Sequence, residues 1–375
     1  MAIFKTIKTD FDGCEYPIVI GRDILSEILN CIQERTKNKK VIIVSDTYFQ
    51  TRIAATVKEN LSVAGYEVFE YYMDAGKGNK NFNEILKIYG ILEENNLARD
   101  STLIAIGGGV IGDLAGFVAS TWLRGMNLVH VPTTLMAMVD SSVGGKVAIN
   151  YRHTINAIGN YYHPIINIID LSLIDNLSER DYKSGIAEVI KCAILADSNL
   201  YDYLEKSRGP VLDRSSEHMT KFISRALEIK IDHVSGDTRE GGKRLLLNYG
   251  HTLGHSVEIS TELNQQEQYR HGEGVSIGIM AAAFIAQEYL DVPGDLYDSY
   301  KSLFELYDLP TYVDSEALGF EKNKLTLSCI KNVQKDKKRI DNKLRLILAD
   351  SIGHASVYSD VPFSLVENSF KHIIR

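Results

Sequence analysis

Short β-branched runs alternate with amphipathic stretches and then run into a glycine-rich turn, and this limits the chain to few folds. Val41-Ile42-Ile43-Val44-Ser45 is apolar without alternation, as a strand buried on both faces requires. Thr51 to Ala64 reads as a helix and Tyr66 to Tyr72 as the next strand. Asn81 to Asn96 has helical spacing, with Ile85, Leu86, Tyr89 and Leu92 on one side. The strand Thr102 to Ile106 enters Gly107-Gly108-Gly109-Val110-Ile111-Gly112-Asp113, and a helix (Val110 to Thr121) and a strand (Asn127 to Val131) follow. Such alternation predicts a doubly wound parallel sheet: an α/β N-terminal Rossmann-like nucleotide-binding domain over residues 1–177. From Ser178, a candidate N-cap, the pattern is mostly helical, so residues 178–375 are expected to form an all-α metal- and substrate-binding domain. The active site is expected in the interdomain cleft.

A length of 375 residues is long for one core and suits two. The net charge of −8 argues against nucleic acid or an anionic membrane surface as partner, while leaving room for a small basic pocket. Cys14, Cys31, Cys192 and Cys329 form no C-x-x-C pair, which suits reduced thiols in the cytoplasm. Met1 to Lys5 lacks the long apolar run of a secretory signal. Val275 to Ala286 is too short to span a bilayer and reads as a buried helix.

The chemistry concentrates in a few motifs. Without Cβ atoms, the turn from Gly107 lets backbone approach a pyrophosphate at a helix N-terminus. Thr133 and Thr134 place two hydroxyls after the next strand. The stretch from Val139 to Lys146 joins small polar residues to one acid, Asp140, and one lysine, a common phosphate-holding mixture. His251 and His255 share one helix face at i, i+4, and a further cluster holds His271. Glu188 plus two histidines completes three protein ligands of a divalent ion with one open position, leaving a histidine for acid–base work. Lys191 shares the helix face of Glu188, and Lys230 and Arg244 are candidates for carboxylate recognition.

Together Gly107 to Phe117, Val131 to Lys146, Gly185 to Lys191, Leu247 to His255 and His271-Gly272-Glu273 resemble the 3-dehydroquinate synthase family, a branch of the sugar phosphate cyclases. The resemblance implies a carbon–oxygen lyase of the shikimate pathway of aromatic amino acid biosynthesis. It would convert 3-deoxy-D-arabino-heptulosonate 7-phosphate to 3-dehydroquinate and phosphate. NAD would act catalytically beside a divalent metal, zinc or cobalt, and the enzyme would be a cytoplasmic homodimer.

Carried over position by position, Glu188, His251 and His271 would bind the metal. Glu240 and His255 would move protons, in a catalytic set with Lys146, Lys191, Arg244 and Asn248. Substrate would meet Asp140, Lys146, Asn156, Lys191, Lys230, Arg244 and Asn248, and its phosphate Arg124 with Lys337 or Lys338. NAD would contact Asp46, Lys80, Gly108, Gly109, Val110, Asp113, Thr133 and Thr134. The chain departs from the family pattern at Lys77, where an acid is usual, at Ile155, where a lysine is usual, and at Tyr48, where asparagine is common. Cyclases whose substrates lack a carboxylate tend to lose the counterparts of Lys230, Arg244 and His255, so their presence favours the heptulosonate. The alternatives are another sugar phosphate cyclase of secondary metabolism (aminodehydroquinate, 2-deoxy-scyllo-inosose or valiolone type) and a metal-dependent polyol dehydrogenase.

Overall fold

A computed structural model describes residues 2–74, 76–152, 154–263, 266–337 and 344–375. The chain divides into two compact units, 1–177 with 219–239 and 178–218 with 240–375.

The first unit contains β1 (Ala2–Phe11), β2 (Cys14–Arg22), β3 (Lys40–Asp46), β4 (Glu67–Met73), β5 (Thr102–Gly107), β6 (Asn127–Pro132), β7 (Lys146–Tyr151), β8 (Thr154–Tyr161) and β9 (Ile166–Asp170). Its first four helices are α1 (Glu27–Arg35), α2 (Ile53–Val63), α3 (Phe82–Glu94) and α4 (Gly109–Thr121). Seven strands make one sheet in the order β1-β2-β9-β6-β5-β3-β4, and β7 and β8 form a separate hairpin. All pairings from β2 to β4 across this sheet are parallel; β1 alone runs antiparallel on the edge. Every residue of β5 is buried, which is why its sequence shows no polar alternation. From β3 the chain winds outward to β4, then returns to the other side of β3 for β5, β6 and β9. That reversal is the topological switch point, where ligands settle beyond the strand C-termini. Asp46 ends β3 and Gly107 ends β5, so the glycine turn opens there. The hairpins β1–β2 and β7–β8 and the strand β9 were not anticipated from the alternation pattern.

The second unit begins with α5 (Glu179–Ala196), α6 (Ser198–Lys206) and α7 (Arg208–Leu212). Ser178 caps α5, its hydroxyl accepting from the Asp181 amide at 3.1 Å. The helix α8 (Ser216–Val234) then carries the chain back to the first unit. The expected single cut at residue 178 therefore misses Met219–Arg239. These residues are held by Lys5 Nζ to Glu228 at 2.6 Å and by Ser235 donating to the Asp10 carbonyl at 2.9 Å, both on β1. The rest is α9 (His251–Thr261), α10 (His271–Leu290), α11 (Gly294–Leu306), α12 (Lys322–Lys337), β10 (Leu346–Ser351), β11 (His354–Tyr358) and α13 (Phe363–Ile373). The described residues of the unit are thus mainly helical, as expected, with the antiparallel hairpin β10–β11 added. No described helix is long and apolar enough to cross a membrane; the Val275–Ala286 run lies in α10, where most side chains are buried.

Two glycines decide how α5, α9 and α10 meet. A Cβ on Gly278 of α10 would lie 2.0 Å from the Gly250 carbonyl and 2.6 Å from the Gly254 amide. One on Gly272 would lie 1.9 Å from the Ser184 carbonyl of α5. The helices touch backbone to backbone, which only glycine permits.

Candidate active site and metal centre

Glu188 lies midway along α5, His251 opens α9 and His271 opens α10. The close helix contacts bring them together. Glu188 Oε1 stands 3.7 Å from His251 Nε2 and 3.5 Å from His271 Nε2. Ligands about 2.1 Å from a tetrahedral ion are separated by roughly 3.4 Å, so these edges fit one zinc-sized cation.

The imidazoles are oriented for that task. His251 donates Nδ1–H to the Tyr249 carbonyl at 3.1 Å, and His271 donates Nδ1–H to Glu258 Oε1 at 3.2 Å. Each Nε2 thereby faces Glu188 and is the nitrogen that would bind an ion placed between them. The Glu188 carboxylate is 1% exposed and neither of its oxygens accepts a well-formed hydrogen bond; its partner is the Lys191 ammonium. A fully buried carboxylate is costly unless paired with positive charge, which Lys191 supplies here and a bound ion would add to. Burial would raise the Glu188 carboxyl, but Lys191 and then the two histidines hold it well below the usual carboxylate range. Burial and then Lys191 push His251 well down. Burial also opposes charge on His271, yet the neighbouring carboxylates of Glu188 and Glu258 outweigh it and raise the ring to about 10. The pocket demands positive charge, and the donor set fits a divalent ion.

Around this triad His255 stands with its ring centroid 5.4 Å from those of both His251 and His271. Asn248 donates to Glu240 Oε1 at 2.7 Å, and Glu240 sits at φ 62°, a strained value for a non-glycine residue. Arg244 is 2% exposed in the short 3-10 turn Lys243–Asn248. Glu188, Lys191, Glu240, Arg244, Asn248, His251, His255 and His271 all belong to the second unit.

Apart from Lys337 and Lys338, the other site residues lie in the first unit. Thr133 and Thr134 follow β6, and Thr133 donates its amide to the Gly107 carbonyl at 3.0 Å. A Cβ on Gly108 would approach Thr134 to 3.2 Å, and one on Gly109 would approach Ser141 to 3.0 Å. The turn is therefore a bare-backbone cradle at the start of α4, next to Val110 and Asp113. This fits a pyrophosphate. Lys80 is buried and bridges Asp113 and Asn156, the latter at 2.6 Å. Burial raises the Asp113 carboxyl and the Lys80 charge opposes it. Asp46 also rises through burial, against amide donors from Phe49 and Tyr48. Lys230 of α8 is buried and ion-paired to Asp140 Oδ1 at 2.6 Å; Asp140 lies in a π-helical turn, Ala137–Ser141. Lys146 and Arg124 are exposed. Arg124 and Asn156 have φ of 67° and 51°. At the departures from the family pattern, Ile155 is 57% exposed, and Tyr48 packs under Arg52. Lys338 and the side chain of Lys337 lie outside the described residues.

A family model for the 3-dehydroquinate synthase N-terminal domain matches residues 70–184, and one for its C-terminal domain matches 185–339. The chain belongs to the 3-dehydroquinate synthase family. A 3-dehydroquinate synthase of a Nostoc species is 38% identical over 361 residues, 95% of this chain and 96% of that protein. The Desulforamulus reducens 3-dehydroquinate synthase is 36% identical, again over 95% of this chain and 96% of its own length. Among solved structures, a 2-deoxy-scyllo-inosose synthase bound to carbaglucose-6-phosphate, NAD+ and Co2+ superposes with TM-score 0.87, covering 98% of this chain and 100% of that one at 23% identity. The 2-epi-5-epi-valiolone synthase of Streptomyces hygroscopicus, with NAD+ and Zn2+, gives 0.83 at 22% identity, covering 97% and 98%. A Thermotoga maritima butanol dehydrogenase shares the fold at 0.68 and 14% identity, covering 96% of each chain. The family is thus set by sequence, while the fold extends to dehydrogenases.

Sequence reasoning passed over Glu258 and the Tyr249 carbonyl, which orient the two histidines. The available signal was spacing: Glu258 lies one helical turn beyond His255.

Proposed function

We propose that the chain is a 3-dehydroquinate synthase, converting 3-deoxy-D-arabino-heptulosonate 7-phosphate to 3-dehydroquinate and inorganic phosphate with catalytic NAD and one zinc or cobalt ion. One observation carries the choice of substrate class. Lys191, Lys230 and Arg244 are all buried, in a chain of net charge −8, within a family defined by that activity. Lys191 and Lys230 are held in place by Glu188 and Asp140, and these cations with the Arg244 guanidinium suit a substrate bearing both carboxylate and phosphate.

Glu188, His251 and His271 would hold the ion; the Gly108–Gly109 cradle, Val110, Asp113, Thr133, Thr134, Asp46 and Lys80 would hold NAD. When bound, the two supply Lewis-acid polarisation of an alcohol and a reversible two-electron acceptor. Arg244 would grip the carboxylate as a planar fork, and Lys230, whose ammonium Asp140 fixes, would also bind substrate. Asn248 holds the Glu240 carboxylate at a defined atom, and Glu240 and His255 would carry protons. Lys146, Asn156 and Lys191 would position the hydroxyls and ring. Arg124 and Lys337 or Lys338 would hold the phosphate until it leaves. We read the enzyme as a cytoplasmic homodimer, on the strength of the family resemblance.

The test is turnover of the heptulosonate phosphate by metal-loaded protein with NAD far below substrate. Inorganic phosphate should exceed NAD many-fold with no lasting NADH absorbance. NADH rising in step with substrate loss would instead make it a dehydrogenase. Phosphate release from glucose 6-phosphate alone would place it with the carboxylate-free cyclases.

A further inference from the structure

Glu258 projects from α9, one turn beyond His255, and its side chain is 15% exposed. Its carboxylate accepts from His271 Nδ1 at 3.2 Å. The path to that hydrogen bond crosses the backbone of α10 at Gly274. A Cβ there would lie 2.5 Å from Glu258 Oε1 and 2.6 Å from its Cγ. The bare position at Gly274 is thus the space the Glu258 side chain occupies. His271 is a helix-opening residue whose other nitrogen faces Glu188 at 3.5 Å; with that nitrogen given to an ion, the proton stays on Nδ1, where Glu258 accepts it.

We propose that Glu258 is the positioning residue of the metal centre: it fixes the Nδ1–H tautomer and ring angle of His271, and Gly274 exists to let it do so. This rests on Glu188, His251 and His271 being the metal ligands. Carboxylate partners of ligating imidazoles set ring orientation and basicity, and losing one typically lowers metal affinity 10–100-fold. Glu258 acts through His271 and touches no reacting atom.

The experiment measures Co2+ affinity by competition with a chromophoric chelator, together with the visible spectrum of the bound ion and the thermal midpoint of metal-free protein. Glu258→Ala should weaken Co2+ about 10–100-fold and alter the cobalt bands. Glu258→Gln, which keeps an acceptor oxygen, should lose less. In both variants the metal-free midpoint should stay near that of the parent. Gly274→Ala should mimic Glu258→Ala, because the methyl displaces the carboxylate, and the effect of Gly274→Ala should vanish when Glu258 is already alanine. Unchanged affinity and spectrum in Glu258→Ala, or a loss confined to the metal-free midpoint, would overturn the proposal. So would two bound Co2+ per chain with one lost in Glu258→Ala, since Glu258 would then be a ligand itself. The parent and Glu188→Gln serve as the control: if Glu188→Gln binds Co2+ as well as the parent, it is the ligand assignment that fails.

Discussion

His130 lies buried in β6, and desolvation pushes its imidazole down to about 4 from an ordinary 6.5. The folded state excludes the proton and the unfolded state accepts it. Stability is therefore full above pH 6.5 and falls as pH drops toward 4. At pH 4.5 the expected loss from this one group is about 2.5 kcal/mol. Urea unfolding at pH 7.5 and 4.5 checks it: His130→Phe should narrow the gap between the two by about that amount, and an unchanged gap contradicts it. Arg244 calls for a kinetic measure. If its buried guanidinium grips the substrate carboxylate, Arg244→Ala should lose roughly 2 kcal/mol or more of transition-state binding, about 30-fold in kcat/KM. An unchanged kcat/KM removes it from the site. Arg244 stands out in the sequence as a candidate because a guanidinium suits a carboxylate. Glu258 does not: three residues past His255 it looks like any solvated helix carboxylate until α10 packs beside it.

Elements place these side chains, and the contact between α9 and α10 matters most. Gly278 lets the backbones meet, and Gly278→Ala forces a methyl into the Gly250 carbonyl. We expect a cost of about 1–3 kcal/mol from overpacking and weaker metal binding, because His251 and His271 must part. Chemical denaturation with a Co2+ titration checks both; loss of stability with intact affinity would separate the packing from the site. Strand and helix identities in the first unit were readable because buried parallel strands carry continuous apolar runs: β3, β5 and β6 each lie within two residues of expectation. The β7–β8 hairpin was not, since β8 is largely exposed and carries little hydrophobic pattern. Helix-to-helix glycine contacts leave no periodic signal at all.

At the scale of the molecule, sheet order puts the glycine turn at the switch point between β3 and β5, while the metal triad is assembled within the second unit from three helices. The return of Met219–Arg239 to the first unit was hidden, because an amphipathic helix does not announce which core it will join. Metal binding should be coupled to folding of the second unit. At a free ion concentration of 100 times Kd, stabilisation of about 2.7 kcal/mol is expected. Thermal scans with and without chelator should show that gain, and Glu188→Gln should abolish it; equal midpoints for the parent in both conditions would contradict it. The most direct measurement is anomalous scattering at the cobalt edge from crystals grown with Co2+. The account predicts one strong peak about 2.0–2.2 Å from Glu188 Oε1, His251 Nε2 and His271 Nε2 together. No peak there, or cobalt bound at other residues, would contradict it.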